Sequence, residues 1–278
     1  MRSRDTVSLS VDFSPVAVTD LSQGRILRAI QSVRRLGLAE VVALVRRHGL
    51  RKCLAFAAHN IRHIVAHRLA LRWDRAHGVD TAGSIQLHSL TIATANRQFG
   101  NECVCTLPRT FDFIMKGLPR ELSDYTFIDI GAGKSRTLLL ASRYGFAKAV
   151  GVEFAKELVA CSRANIARFR DAEQKCRDLK VVEADAAEFA FPQAPLVIYF
   201  YNPFTRDVFD TVLDNIAASL AAAPRDCYLV YGSSSHNAID WARPAILARG
   251  LFDEIPADPM PFFADAVRTV RYAVFRTR

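Results

Sequence analysis

The residues best placed to do chemistry lie in FIDIGAGKSRTLLLA, residues 127–141, and in three short runs after it. An apolar run, Phe127–Ile130, carries one acid, Asp129, and leads directly into Gly131-x-Gly133. Two glycines there permit a tight turn and let the backbone approach a ligand closely. A helix begins at about Ser135, and unpaired N–H groups at such a start suit a polar or anionic ligand group. Downstream, AVGVEF ends on Glu153, 24 residues after Asp129. A carboxylate at that strand end accepts two hydroxyl hydrogen bonds together. VVEADAAEF sets Asp185 beside the small Ala186, and YFYNPF closes an apolar run with Tyr199, Tyr201, Asn202, Pro203 and Phe204.

Two phosphate-binding readings of the glycine turn fail on spacing. Gly133-Lys134-Ser135 suggests G-x-x-x-x-G-K-[ST], which requires glycine at position 128, occupied by Ile128. A dinucleotide fingerprint, G-x-G-x-x-G, requires glycine where Arg136 stands. Glu153 would also repel the 2′-phosphate of NADP.

In their order along the chain, Asp129-x-Gly131-x-Gly133, Glu153, Asp185-Ala186 and the strand end at Asn202-Pro203 resemble the class I (Rossmann-like) S-adenosylmethionine (SAM)-dependent methyltransferases, over about residues 105–278. The resemblance implies SAM as cofactor, with Asp129, Gly131 and Gly133 in the first cofactor motif. It implies ribose hydroxyls on Glu153 and the adenine amine at Asp185 and Ala186. Ser135 departs from a further glycine often found there. GVE-F-x-x-E-L and the Asn-Pro-Phe strand end are similar to the non-SET-domain protein lysine methyltransferases, although Pro203 departs from the Asn-Asn-Phe form. That similarity makes Thr106, in Cys-Thr-Leu-Pro, a cofactor contact in a segment that closes over the methionine part. The class I resemblance puts substrate-facing residues at this strand end, so that Asn202 would aim an incoming amine, with Pro203 on the substrate side and Tyr199, Tyr201 and Phe204 lining the transfer channel. Tyr231 and His236, after a later strand, are further substrate-side or base candidates. The expected function is methyl transfer to an amine, of a protein lysine or another molecule, with no metal. Two alternatives stand beside it: a nucleic-acid-directed enzyme or binding protein, and a non-catalytic SAM-binding protein.

The elements that must position these residues follow a strand-then-helix rhythm. Apolar runs fall at Phe127–Ile130, Ala149–Glu153, Lys180–Glu183, Leu196–Phe200, Cys227–Tyr231 and Thr269–Arg276, with helical spacing at Arg136–Tyr144, Lys156–Arg170 and Arg206–Ala222. Such alternation predicts an α/β fold: a Rossmann-like, open, mostly parallel sheet with helices on both faces, seven-stranded by the resemblance. Before it, Arg25–Trp73 reads as basic helices stopped at Gly37 and Gly49, and residues 74–110 as a connector rich in Gly, Ser, Thr and Asn. The expected division is a basic, mainly helical region over 1–100 and a methyltransferase domain over 101–278.

Charge follows that division. Residues 1–80 hold 14 Arg/Lys against 6 Asp/Glu, so +8 of the net +9 lies there and the remainder is near neutral. Residues 25–75 are therefore where a nucleic-acid partner would be held. Half of the 278 residues are hydrophobic, which excludes a disordered or collagen-like chain. Six cysteines are too few to staple a fold of this size, and the Cys103-x-Cys105 pair lacks the partners of a zinc site. His48, His59, His63 and His67 have helical spacing without an acidic or thiol partner, so they read as structural or solvent-facing. No stretch reads as a targeting or membrane-spanning segment, and a cytoplasmic, reducing setting is expected.

Overall fold

The computed structural model describes residues 38–83, 85, 89–101, 105–233, 238–260 and 270–278. Residues 25–37 of the basic region, Cys103 and His236 lie outside the described residues. The chain forms two compact units, Met1–Ile61 and Arg62–Arg278, so the boundary expected near residue 100 falls inside the second. In the first unit α1 (Leu38–His48) is helical, as the spacing predicts, and Gly49, with φ +84°, separates it from α2 (Leu50–His77). Leu50, Leu54 and Ile61 on α2 are exposed. No described helix is long and apolar enough to cross a membrane.

The second unit is built on one sheet. Its strands are β1 (Thr126–Ile130), β2 (Lys148–Glu153), β3 (Leu179–Glu183), β4 (Leu196–Tyr201), β5 (Cys227–Ser233), β6 (Phe252–Ile255) and β7 (Arg271–Thr277). Their spatial order is β3-β2-β1-β4-β5-β7-β6. β1 to β5 pair in parallel, and β7 runs antiparallel to both β5 and β6. The open, mostly parallel seven-stranded sheet is the expected α/β architecture. β1 and β4 are neighbours although β2 and β3 intervene in sequence, which makes their carboxyl ends a switch point. Open parallel sheets bind ligands at such a crevice.

Strands buried on both faces read as continuous apolar runs, yet their alternate residues go to opposite sides. Ile128, Ile130, Val152, Ile198 and Phe200 pack with α6 (Arg206–Ala222) and α7 (Ala238–Leu247). α6 supplies Val208, Val212, Leu213, Ile216 and Leu220, one stripe at helical spacing. Phe127, Val197, Tyr199 and Val230 pack on the other face, against Phe111 and Ile114 of α3 (Pro108–Met115) and Leu138 and Leu140 of α4 (Arg136–Ala141). α5 is Lys156–Arg168. Three elements escape the sequence pattern: α3, which begins inside the stretch read as a connector, α7 and β6. α7 contains Pro244, which interrupts a helical signal, and β6 has only four residues with Asp253 and Glu254 exposed.

Gly151, beside Asp129 in the β1–β2 register, fixes how closely the glycine turn and α4 sit on the sheet. A Cβ there would stand 2.7 Å from Ala132 Cβ and 3.2 Å from Leu138 Cδ1. Gly151→Ala is therefore expected to cost about 1–3 kcal/mol through overpacking, a fall of a few °C in thermal midpoint. Differential scanning calorimetry measures it; an unchanged midpoint would mean that the turn yields freely.

Candidate ligand-binding cleft

A cleft opens at the carboxyl ends of β1, β2 and β4, in two adjoining lobes of about 670 and 370 Å³. Gly131, Glu153, Phe154 and Pro203 line both. The first lobe adds Asp129, Gly133, Thr106, Arg136 and Tyr201; the second adds Asp185, Ala186, Asn96 and Phe204. The structure thus brings the acids and glycines singled out in the sequence to one place.

Asp129 ends near the carboxyl terminus of β1 and is 3% exposed. Burial, with the Glu153 charge adding to it, pushes its carboxyl up to about 8; a hydrogen bond with Thr137 opposes the shift. Glu153, last in β2, is 4% exposed. Its Oε1 accepts from the amides of Phe154 and Ala155, both at 3.0 Å, and its Oε2 accepts from Gly133 N at 2.8 Å. Burial raises its pKa and these three amides oppose the rise.

The glycine turn hangs on β2. Gly131 N and Ala132 N donate to Val152 O at 2.9 and 3.0 Å, and Ser135 N to Ala132 O at 2.8 Å. Gly131 has φ +77°, and a Cβ on it would lie 2.6 Å from Pro203 Cβ, so only glycine fits against the β4 end. Ser135 is also left-handed, at φ +65°, where the resembling family often has glycine. Ser162 Oγ donates to Gly133 O at 3.0 Å, so Ser135 Oγ is the donor in its 2.5 Å bond to Ser162. These bonds hold a non-glycine residue in a costly conformation. Within the turn itself Gly131, Ala132, Gly133 and Ser135 have already committed their N–H groups. Lys134 is engaged too, its Nζ 2.9 Å from Asp80 Oδ1. Those four amides and the Lys134 ammonium are thus drawn into the protein's own bonds and away from a phosphate.

At the end of β4 the chain turns sharply through Asn202, at φ +48°. Tyr231 Oη donates to Asn202 Oδ1 at 3.0 Å, and Asn101 Nδ2 donates to Asn202 O at 3.0 Å. Asn101 N to Pro203 O and Thr205 N to Phe99 O, both 2.8 Å, lay residues 99–101 along this turn. Tyr201 and Pro203 line the first lobe, whereas Asn202 lies between them and lines neither lobe. Tyr199 is buried among Phe111 and Phe127, and its hydroxyl is 3.3 Å from Thr106 Oγ1. It lines no part of the cleft, so its expected place in a transfer channel is not what the fold provides. Phe204 lines the second lobe. Tyr231 is buried, burial raises its pKa, and its hydroxyl serves as donor to Asn202. In that state it is no base. Asp185 caps the short turn Ala186–Glu188 through Ala187 N at 3.0 Å and accepts from Asn96 Nδ2 at 2.9 Å.

Sequence reasoning missed the residues that hold the cleft from the N-terminal side: Asp74, Thr81, Asn96, Asn101 and Arg136. One signal was present. Asp74 is the lone acid of residues 41–79 in a strongly basic stretch. It is buried and accepts from Thr81 N, Thr81 Oγ1, Ala82 N and Arg136 Nη2 at 2.6–2.7 Å.

No protein-family model and no curated protein matches the chain. Solved structures with a similar course include a precorrin-6y C5,15-methyltransferase from Geobacter metallireducens, 15% identical, covering 69% of this chain and 94% of its own, with a TM-score of 0.46. Magnesium protoporphyrin IX methyltransferase from Synechocystis, with bound SAM, is 12% identical over 62% of this chain and 79% of its own, at 0.44. The glycopeptide N-methyltransferase MtfA, complexed with S-adenosylhomocysteine, is 13% identical over 60% and 87%, also at 0.44. Likenesses this distant carry no functional argument, and the reading of the cleft rests on its own residues.

The raised Asp129 gives a pH signature. Between its ordinary value near 3.8 and about 8 the folded state holds a proton that the unfolded state releases. Stability must then fall as pH rises through that window, at most about 1.4 kcal/mol per pH unit, and level off above it. Asp129→Asn should flatten this slope and gain most, relative to the unaltered chain, above pH 8. Urea denaturation at pH 5, 7 and 9 measures both; parallel profiles would place the Asp129 ionisation elsewhere.

Proposed function

We propose that the cleft binds SAM and that the protein is a methyltransferase whose acceptor is an amine. The observation that carries the reading is the pair of buried carboxyl groups, Asp129 and Glu153, across a glycine turn in which Gly131, Ala132 and Gly133 already donate their amides within the protein. That donor set fits a ligand bearing cations and hydroxyls and disfavours one bearing phosphates. In the first lobe Asp129 suits a cationic group. Glu153 Oε1 is filled by two amides, but Oε2 accepts only one, so a lone-pair direction remains for a sugar hydroxyl. In the second lobe Ala184, Ala186, Phe154 and Phe204 offer apolar walls to a flat base, with Asp185 at its edge to accept from an exocyclic amine. The cradle that a Cβ would fill at Gly131 gives the same fit.

When bound, SAM supplies a methyl group activated for in-line displacement by a nucleophile. The chain's own task is then alignment and exclusion of water. Thr106 and Tyr201 close the first lobe beside Asp129. Asn202, fixed from two sides in a left-handed conformation, is the acceptor-side residue in this reading, because backbone strain of this kind gathers at functional sites. Its Oδ1 already accepts from Tyr231 and keeps one lone pair for an acceptor N–H. An amine attacks as the neutral base and sheds its proton afterwards, so it needs no strong base beside it. Consistent with that, no histidine is among the described residues that line the cleft.

Calorimetry with S-adenosylhomocysteine is expected to give binding that Gly131→Arg abolishes and Glu153→Ala weakens about 10- to 100-fold. Binding unaffected by both would remove the cofactor from this cleft. Asn202→Gly, which keeps the left-handed backbone while deleting the side chain, should spare cofactor binding and reduce turnover at least about tenfold. Incubating labelled SAM and the protein with a cell lysate locates the acceptor: label on amines supports the reading, and label confined to RNA contradicts it.

A further inference from the structure

Arg136 is the residue of the cleft whose hydrogen bonds do not close. It opens α4, is 3% exposed and lines the first lobe. Its Nε donates to Thr81 Oγ1 at 2.6 Å, and its Nη2 to Asp74 Oδ1 at 2.7 Å and Ala70 O at 3.1 Å. The guanidinium carbon stands 4.7 Å from the centre of the Trp73 ring. Nη1 is buried and has no hydrogen-bond partner among the described residues. Folded proteins seldom leave a buried donor of a charged group unpaired, and such a group calls for an explanation.

Among the described residues, the two side chains that already bind the guanidinium offer Nη1 no further acceptor. Asp74 is the counter-ion, but its two oxygens already accept four hydrogen bonds, from Thr81 N, Thr81 Oγ1, Ala82 N and Arg136 Nη2. Thr81 Oγ1 gives its proton to Asp74 and takes Nε. With Nε and Nη2 pinned and one face against Trp73, the plane of the guanidinium is fixed. An arginine held this rigidly loses little freedom on binding a carboxylate.

We propose that Arg136 Nη1 binds the carboxylate of an α-amino acid group, with Asp129, in the same lobe, taking its ammonium. The first lobe is on this account a zwitterion site, and Asp74, Thr81 and Trp73 are positioning residues that aim the guanidinium. The inference rests on the cofactor reading above, in which the methionine part of SAM occupies that lobe, and it names which of the chain's residues reads that part. It also gives a reason for arginine at position 136: lysine keeps the charge but not the second arm.

The test is calorimetry on the full-length chain with two ligands, SAM and decarboxylated SAM, which lacks only the carboxylate. The unaltered chain should bind decarboxylated SAM about 10- to 100-fold more weakly. In Arg136→Lys, SAM should weaken by a similar factor while decarboxylated SAM binds as before, so that the two ligands converge. If circular dichroism finds Arg136→Lys unfolded, Thr81→Val takes its place, since it removes the group that aims Nε. It should weaken SAM several-fold and leave decarboxylated SAM unchanged. Equal affinity of the unaltered chain for both ligands overturns the inference and leaves the cofactor reading standing. Equal weakening of both ligands by the folded variant also overturns it, because Arg136 would then be a structural residue only. No binding of either ligand to the unaltered chain overturns the cofactor reading, and this inference with it.

Discussion

Two carboxyl groups buried side by side at the ends of parallel strands set the terms for the rest of the structure. Asp129 and Glu153 lie on neighbouring strands, β1 and β2, almost without solvent. Charged carboxylates in that position are unfavourable unless donors surround them. Glu153 is met by three backbone amides, and one of these, Gly133 N, belongs to the glycine turn. The turn's conformation is therefore coupled to the acid it faces. Val152 O holds the turn's entry, Ser162 its exit, and Pro203 leaves no room for a side chain at Gly131. Among the described residues Asp129 has Thr137 alone to help it, and the rise of its carboxyl to about 8 expresses that shortage. A cationic ligand would relieve it.

Much of this was legible in the sequence because it follows from local pattern. Continuous apolar runs separated by helical stripes give parallel strands buried on both faces. An acid before G-x-G, and acids at the next two strand ends, mark the crevice. Depth was not legible. Tyr199 and Tyr201 share the face of β4 that carries Asp129's neighbours, since side chains alternate along a strand. Yet Tyr199 lies under Phe111 of α3, and only Tyr201 reaches the cleft. Alternation gives the face of a residue and says nothing of how far along the strand the covering helix extends.

Contacts between distant segments were equally invisible. Arg136 meets Asp74 across 62 positions, and Asn96 meets Asp185 across 89. No period links such pairs. What the sequence does contain is an imbalance, one acid in a long basic stretch. A buried arginine needs a counter-ion, and a lone acid in a basic stretch is a candidate for that task. Most of the basic surplus of residues 1–80 is carried by helical residues with no described role in the cleft. The acid Asp74 and the neighbouring Thr81 reach the cleft through the arginine that they orient.

Burial's hold on the Asp129 proton until a cation arrives is the point on which the cleft's chemistry turns. It is tested most directly by counting protons during SAM binding, using calorimetry at pH 7 in buffers of different ionisation enthalpy. Release of about one proton is expected at pH 7, fading to none above about pH 9, as for a carboxyl near 8 that ionises against a cation. Binding with no proton release at pH 7, or with proton uptake, would contradict it.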